Sequence, residues 1–327
     1  MPLETLPRVH TDDTTQIARA YRRAREAHLW VRHAPPGRLE VTGADHQDFM
    51  HRMSTQELLD QPEWTIRSSV LTTPIAKVVD WIQVVRRPGG AWLLTSPGQA
   101  GVVKDWLTGY VFFRDDVRLR LLEDEVDFLG VYGPGAGHAA AELEPGLPPL
   151  EVGHASPIGG GLAWKVAAPA AGGVRILASG LSARLASSDA ESPAARGAYQ
   201  ALRVEAGVPE YGAEVQPDSN PLDIGLDESV SFAKGCYIGQ EIIARMESRG
   251  VRARRLVGLR FEDEAHAPQP LFLEKAEVGD VTTAAWSPDR GWIGLGIVRT
   301  SALEDPDIRL TVGPSGPPAR VTTLPMA

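Results

Sequence analysis

The stretch Ser231 to Gly250 holds the residues most suited to chemistry. It reads Ser-Phe-Ala-Lys-Gly-Cys-Tyr-Ile-Gly-Gln-Glu-Ile-Ile-Ala-Arg-Met-Glu-Ser-Arg-Gly, and it contains the single cysteine of the 327-residue chain, Cys236. Gly235 and Gly239 permit a tight path around the thiol with positive φ angles. The run from Gln240 to Met246 has good helix formers and an apolar pair, Ile242 and Ile243. Cys236 is therefore expected on a loop before a helix N-terminus, with Lys234 two residues away. A cation and a helix N-terminus both favour the thiolate, which can attack, exchange with a disulfide or ligate a metal. The plain alternative is a small buried hydrophobe, as free cysteines often are.

Three other groups could do chemistry. Asp80, in the β-prone run Val78 to Arg86, could act as acid or base if buried, or could be a polar residue on an exposed strand face. Arg245 and Arg249 could meet a carboxylated ligand in two-point geometry, or pair at the surface with Glu241 or Glu247. His28, His33, His46 and His51 do not match the spacing of a metal motif and read as scattered surface histidines. Gly133-Pro134-Gly135-Ala136-Gly137 lacks the Lys-Ser/Thr end of a phosphate loop and reads as a turn.

Elements to position these groups follow from pattern. Helices are expected over Asp13–Ala27, with Ile17, Ala20, Tyr21 and Ala24 on one face, and over Gly43–Met53, with Phe49, Met50 and Met53 inward. Further helices are expected over Gly101–Tyr110, Ala136–Leu143 and Tyr199–Ala206, the last closed by Gly207. Strands are expected over Arg38–Thr42, Val78–Arg86, Ala91–Thr95, Val117–Leu122, Phe128–Tyr132, Leu162–Val166 and Val174–Leu177. Ser187–Ala194 reads as a linker, and Pro209–Gly225 as a long polar loop. After Gly250 the segments Leu256–Phe261, Ala276–Thr283, Trp292–Val298, Ile308–Val312 and Pro318–Thr323 suggest a small barrel or sandwich.

Composition narrows the class. Hydrophobic residues make up 43% and charged residues 23%, ordinary for a globular chain with real cores. The formal net charge is -9, with a local basic cluster at Arg249, Arg252, Arg254 and Arg255. That balance argues against nucleic acid, whose binding leans on phosphate neutralisation, and suits a small anionic ligand. One cysteine excludes an internal disulfide and a self-contained cysteine metal site, and agrees with a reducing compartment. Met1 to Asp13 has no apolar core of signal-peptide type, and no run approaches a membrane span. The expectation is a cytoplasmic protein with no metal site and no membrane partner.

Lys234-Gly235-Cys236-Tyr237-Ile238-Gly239-Gln240-Glu241 resembles the signature octapeptide of the YgfZ family, Lys-Gly-Cys-[Phe/Tyr]-x-Gly-Gln-Glu. That family is related to the folate-dependent aminomethyltransferase, or T-protein, of the glycine cleavage system. Leu202 to Pro209 is similar to the family's Leu-Arg-x-Glu-Ala-Gly segment. Val41 to Phe49 looks like its Val-x-Gly-x-Asp-Ala-x-x-Phe opening, with His46 departing from the alanine, and Val278 to Val298 resembles its barrel pattern. Glu142 to Ser192 aligns with nothing.

The resemblance implies an α+β aminomethyltransferase-like folate-binding fold, a ring of domains around a central pocket with a C-terminal β-barrel. The folate-binding region would span 14–250, as subdomains of about 14–116 with 195–250 and 117–194, and the barrel 251–327. It implies tetrahydrofolate or a derivative as cofactor, with Glu205 hydrogen-bonding the pterin and Lys234, Tyr237, Gln240 and Arg245 also at the ligand. Without the resemblance, Glu205 would be a solvated residue near a helix C-cap. In the aminomethyltransferases the segment matching Val78–Ile82 carries paired aspartates, one of them catalytic. Here Asp80 keeps one carboxylate and Trp81 replaces the other. The resemblance thus implies a folate-binding accessory protein with reactive Cys236, serving iron–sulfur client or assembly proteins. The alternative is a tetrahydrofolate-dependent aminomethyltransferase. A flavin-linked demethylase would need a dinucleotide-binding fingerprint, which the chain lacks.

Overall fold

The computed structural model describes residues 11–185, 189–250, 252–305 and 307–326. Two five-stranded antiparallel sheets and a closed six-stranded barrel make up its β structure, an α+β arrangement. The first sheet runs Ile66–Thr72, Val78–Arg87, Gly90–Thr95, Gly37–Thr42, Arg118–Leu121. The second runs Leu29–His33, Asp127–Tyr132, Gly173–Ala178, Gly161–Val166, Ala155–Ile158. The barrel closes through Arg254–Phe261, Gly291–Arg299, Ala276–Ser287, Gln269–Leu273, Arg309–Val312 and Pro318–Thr322.

Each sheet is two-faced because strand side chains alternate. In the first, Leu39, Val41, Leu71, Ile82, Val84 and Leu93 pack against the helices His46–Met53 and Ala100–Thr108. In the second, Leu129, Val131, Val174, Ile176 and Ala178 pack against the helix Ala136–Leu143. The opposite faces meet each other. Ile66, Val85 and Leu94 of the first sheet share one core with Leu162, Trp164 and Leu177 of the second, edged by Trp64, Trp92 and Phe128.

The helix Pro193–Ala206 joins these layers. Pro193 opens it, the Ser192 hydroxyl accepts from the Ala195 N–H at 3.1 Å, and Gly207 closes it at φ 69°. The expected linker Ser187–Ala194 is thus part helix at its end, while its 187–188 lie outside the described residues. One side of this helix packs on the helix Thr11–Glu26 through Tyr21, Ala24, Ala198 and Leu202. Val204, on another side, sits among Leu256, Ala285, Ile293 and Leu295 of the barrel.

Gly130 marks a close approach inside the second sheet. A Cβ there would lie 2.4 Å from the Tyr132 hydroxyl oxygen and 2.5 Å from its ring, so the ring lies flat over the glycine. Gly130→Ala is expected to push Tyr132 aside and cost about 1–3 kcal/mol in urea denaturation. An unchanged midpoint would show that the ring relocates freely.

Candidate functional site

The faces that the two sheets turn toward each other carry an aromatic and cationic cluster that sequence reading did not single out. Strand register puts Arg175 between Gly130 on one neighbour and Trp164 on the other, and His33 opposite Phe128. The Phe128 and Trp164 rings stack at 5.7 Å with 15° between planes. The His33 ring lies 4.8 Å from Tyr199 and 5.3 Å from Phe128. The Tyr132 hydroxyl is 2.8 Å from His33 Nε2.

The electrostatics of this cluster are those of one positive charge among neutral groups. Burial pushes His33 down to about 3, with Arg175 adding to the shift, so its imidazole is neutral. Burial works against the charge of Arg175 as well, but the Tyr132 and Tyr199 hydroxyls accept from it and hold its pKa above the ordinary value. The indole N–H groups of Trp92 and Trp164 and Nε of Arg175 are buried and have no acceptor. Buried donors without partners are rare, and an ordered water, an ion or a ligand can satisfy them.

The sequence-predicted residues fall elsewhere, and do not converge. Asp80 is fully buried, not on an exposed strand face. Its carboxylate accepts the N–H groups of Trp81 (2.9 Å) and Ser96 (3.0 Å). Pleat alternation places it on the helix-bearing face with Ile82 and Val84, and turns Trp81 the other way. Trp81 packs with Val70, Val215 and Leu226, and its indole donates to the Ser229 hydroxyl at 3.0 Å. Asp80 is therefore a positioning residue that fixes both backbones. Burial raises its pKa to about 6.

Glu205 is not a free pterin acceptor. Its oxygens take Tyr21 Oη (2.9 Å), Arg25 (2.6 Å) and Ser287 Oγ (2.6 Å), tying two helices to a barrel hairpin. With its lone pairs taken by protein donors, no edge is left for two-point contact with a ligand.

Lys234 is likewise committed. Its ammonium donates to the carbonyls of His51, Ser54 (2.6 Å) and Gln56 (2.8 Å), closing the end of the helix His46–Met53. Burial lowers its pKa to about 8. Tyr237 is buried among Ala76, Leu222, Val230 and Ile243, with the Lys234 ammonium 5.1 Å from its ring centroid. The Lys234 ammonium is thus committed to backbone carbonyls in place of the expected ligand role, and Tyr237 gives its ring to the core. Gln240 opens the helix Gln240–Arg249, on which Arg245 is exposed. Cys236 is exposed on the loop that Lys234 anchors, not buried as a small hydrophobe.

The histidines also depart from expectation. His46 and His51 are buried, and His33 is enclosed, because each sits in an inter-element seam. Among the described residues no group of three His, Cys, Asp or Glu could hold a metal ion, and no helix is long and apolar enough to cross a membrane. The basic cluster opens on a cleft of about 420 Å³ lined by Met246, Glu247, Arg252 and Arg255, but Arg252 is occupied by the Leu222 carbonyl and Asp227.

Comparison with known proteins agrees with the architecture. Residues 254–327 match the glycine cleavage T-protein C-terminal barrel domain. The crystal structure of glycine cleavage system aminomethyltransferase T from Bartonella henselae superposes with a TM-score of 0.80 at 20% identity, covering 94% of this chain and 89% of that one. The chain has the aminomethyltransferase fold. An aminomethyltransferase of Geobacillus sp. (strain WCH70) is 25% identical over 316 residues, 88% of this chain and 84% of the relative. A chloroplastic protein of Arabidopsis thaliana named as a transferase is 25% identical over 283 residues; they make up 81% of this chain but only 64% of that relative's length. Together these likenesses support the glycine cleavage T-protein superfamily.

Two outcomes test the positions of the buried charges. The raised pKa of Asp80 means that the native state holds an extra proton between pH 4 and 6, so stability is lost as pH rises through that window, by about 3 kcal/mol. Asp80→Asn is expected to remove this slope, so the stability of wild type relative to the variant should fall between pH 4 and 7; a flat difference would contradict the burial. Lys234→Ala, which strands three carbonyls, is expected to cost about 2–4 kcal/mol in urea denaturation. A cost below 1 kcal/mol would mean water replaces the ammonium.

Proposed function

We propose that the chain binds tetrahydrofolate or a derivative between the facing sheets and takes part in one-carbon transfer of the aminomethyltransferase type. The observation that carries this reading is the pair of unpartnered buried indole donors, Trp92 Nε1 and Trp164 Nε1, beside the stacked Phe128 and Trp164 rings. A tetrahydropterin is a flat bicycle whose O4 and N1 accept hydrogen bonds, and it fits such a wall by stacking and by offering those acceptors to orphan N–H groups. Bound tetrahydrofolate supplies nitrogen nucleophiles for a one-carbon unit. The chain's own residues stack on it, exclude water and orient it, while Asp80 holds Trp81 and Ser96 in place from behind the sheet. The name of the Geobacillus relative, whose length the likeness covers to 84%, favours transfer over an accessory role.

A second reading rests on Cys236. Its exposure on a loop fixed by buried Lys234, within a segment resembling the YgfZ octapeptide, suits an accessory protein that presents a thiol to iron–sulfur client or assembly proteins. Under that reading folate binding persists and the thiol does separate work.

Calorimetric titration with tetrahydrofolate should give a Kd of about micromolar order for wild type and for Cys236→Ala alike. Wild type that binds no tetrahydrofolate overturns the proposal. Where binding holds, formation of methylenetetrahydrofolate from an aminomethyl donor supports transfer. No product, together with failure of Cys236→Ala alone to restore iron–sulfur enzyme activity in a deletion strain, favours the accessory reading.

A further inference from the structure

The strand Gly173–Ala178 reads Gly-Val-Arg-Ile-Leu-Ala, and its one charge points to the meeting of the two sheets. Arg175 is surrounded by protein on every side, yet it keeps intermediate solvent accessibility. Arg175 is thus neither sealed in a core nor free at the surface. Among the described residues no carboxylate lies within ion-pair reach of it, whereas buried Arg203 has Glu214 at 2.9 Å. The groups that do touch Arg175 are neutral: Tyr132, Tyr199, the uncharged His33, and the Phe128 ring with its centroid 6.0 Å from the guanidinium carbon. Its Nε has no acceptor. A deep cation without a counter-ion is costly, and almost all buried arginines are paired.

We infer that the Arg175 cluster is a carboxylate-binding subsite, completed by the ligand and not by the protein. A planar guanidinium takes a carboxylate by two parallel hydrogen bonds, and the surrounding rings exclude water and strengthen the pair. The carboxylate has two possible sources: the glutamate tail of a folate, or a separate small acid bound beside the pteridine. The inference shares its location with the folate reading, but it does not require folate to be the ligand.

The test compares wild type and Arg175→Met by calorimetry with three probes: tetrahydrofolate, 6-methyltetrahydropterin, which has no carboxylate, and benzoate. If the tail is the source, the variant should bind tetrahydrofolate at least tenfold more weakly and 6-methyltetrahydropterin unchanged, and benzoate should compete with tetrahydrofolate on wild type. If a separate acid is the source, tetrahydrofolate affinity should stay the same and benzoate binding, measured with tetrahydrofolate present, should be lost. Benzoate binding that depends on Arg175 while wild type binds no pterin would sustain the subsite and overturn only the folate reading. Variant affinities within twofold of wild type for all three probes would overturn the inference.

Thermal melting separates ligand binding from architecture. Removing an uncompensated buried charge should leave Tm unchanged or higher in the ligand-free variant. A lowered Tm with unchanged affinities would make Arg175 purely structural and defeat the inference. Should the methionine variant not fold, Arg175→Lys keeps the charge but loses the planar fork. It is expected to weaken carboxylate binding several-fold, and unchanged affinity there would equally overturn the proposal.

Discussion

The two five-stranded sheets press their apolar faces together, and the contact is sealed by Trp164, Val85 and Leu94 except where Arg175 stands. A cation at that position forces the arrangement around it. Gly130 has no side chain, so Tyr132 can lie over it and bring its hydroxyl to the guanidinium. His33 must stay neutral, because a second positive charge could not be sheltered in the same space. The helix Pro193–Ala206 supplies Tyr199, buried beside the Tyr132 ring, and is held by the N-terminal helix and the barrel. The seam is thus both the junction of the fold and the place where a ligand has most to offer.

The acidic groups show the converse principle. Glu205 and Asp80 are buried; Glu205 is occupied by three side-chain donors from the N-terminal helix and the barrel, and Asp80 accepts two backbone N–H groups. Glu205 gathers a helix–helix–barrel corner, and Asp80 clamps adjacent strands. A carboxylate whose lone pairs are all used stabilises architecture and has little left for substrate. Lys234 follows the same logic, since its three donors close a helix end and carry the loop that displays Cys236. Of the residues with an unpartnered buried polar atom, Trp92, Trp164 and Arg175 belong to the two facing sheets and stand with the aromatic cluster.

Much of the fold was legible in sequence. Period-two runs located most strands, and the helix Ala136–Leu143 was placed to the residue. Leu29–His33, Ile66–Thr72, Ala155–Ile158 and Gln269–Leu273 escaped, the first because it directly follows a helix, the second because Ser68 and Ser69 break the apolar alternation, the last two because Pro157 and Pro270 read as breakers. The barrel was expected with five strands and closes with six. The site was less legible. Residue type draws attention to Cys236 and Asp80, and the resemblance to Glu205, but neither reveals whether their atoms are already spoken for. Arg175 carried a signal, a lone charge inside an apolar strand, but its meaning depends on His33, Tyr132 and Tyr199, which come from two strands and a helix and lie 24 or more positions away.

A crystal structure of the chain with tetrahydrofolate tests the account most directly. The account places the pteridine between the facing sheets, against the Phe128–Trp164 wall, with the indole N–H of Trp92 or Trp164 donating to it. Pteridine density at Glu205, or beside Cys236 with the inter-sheet seam closed, would contradict it.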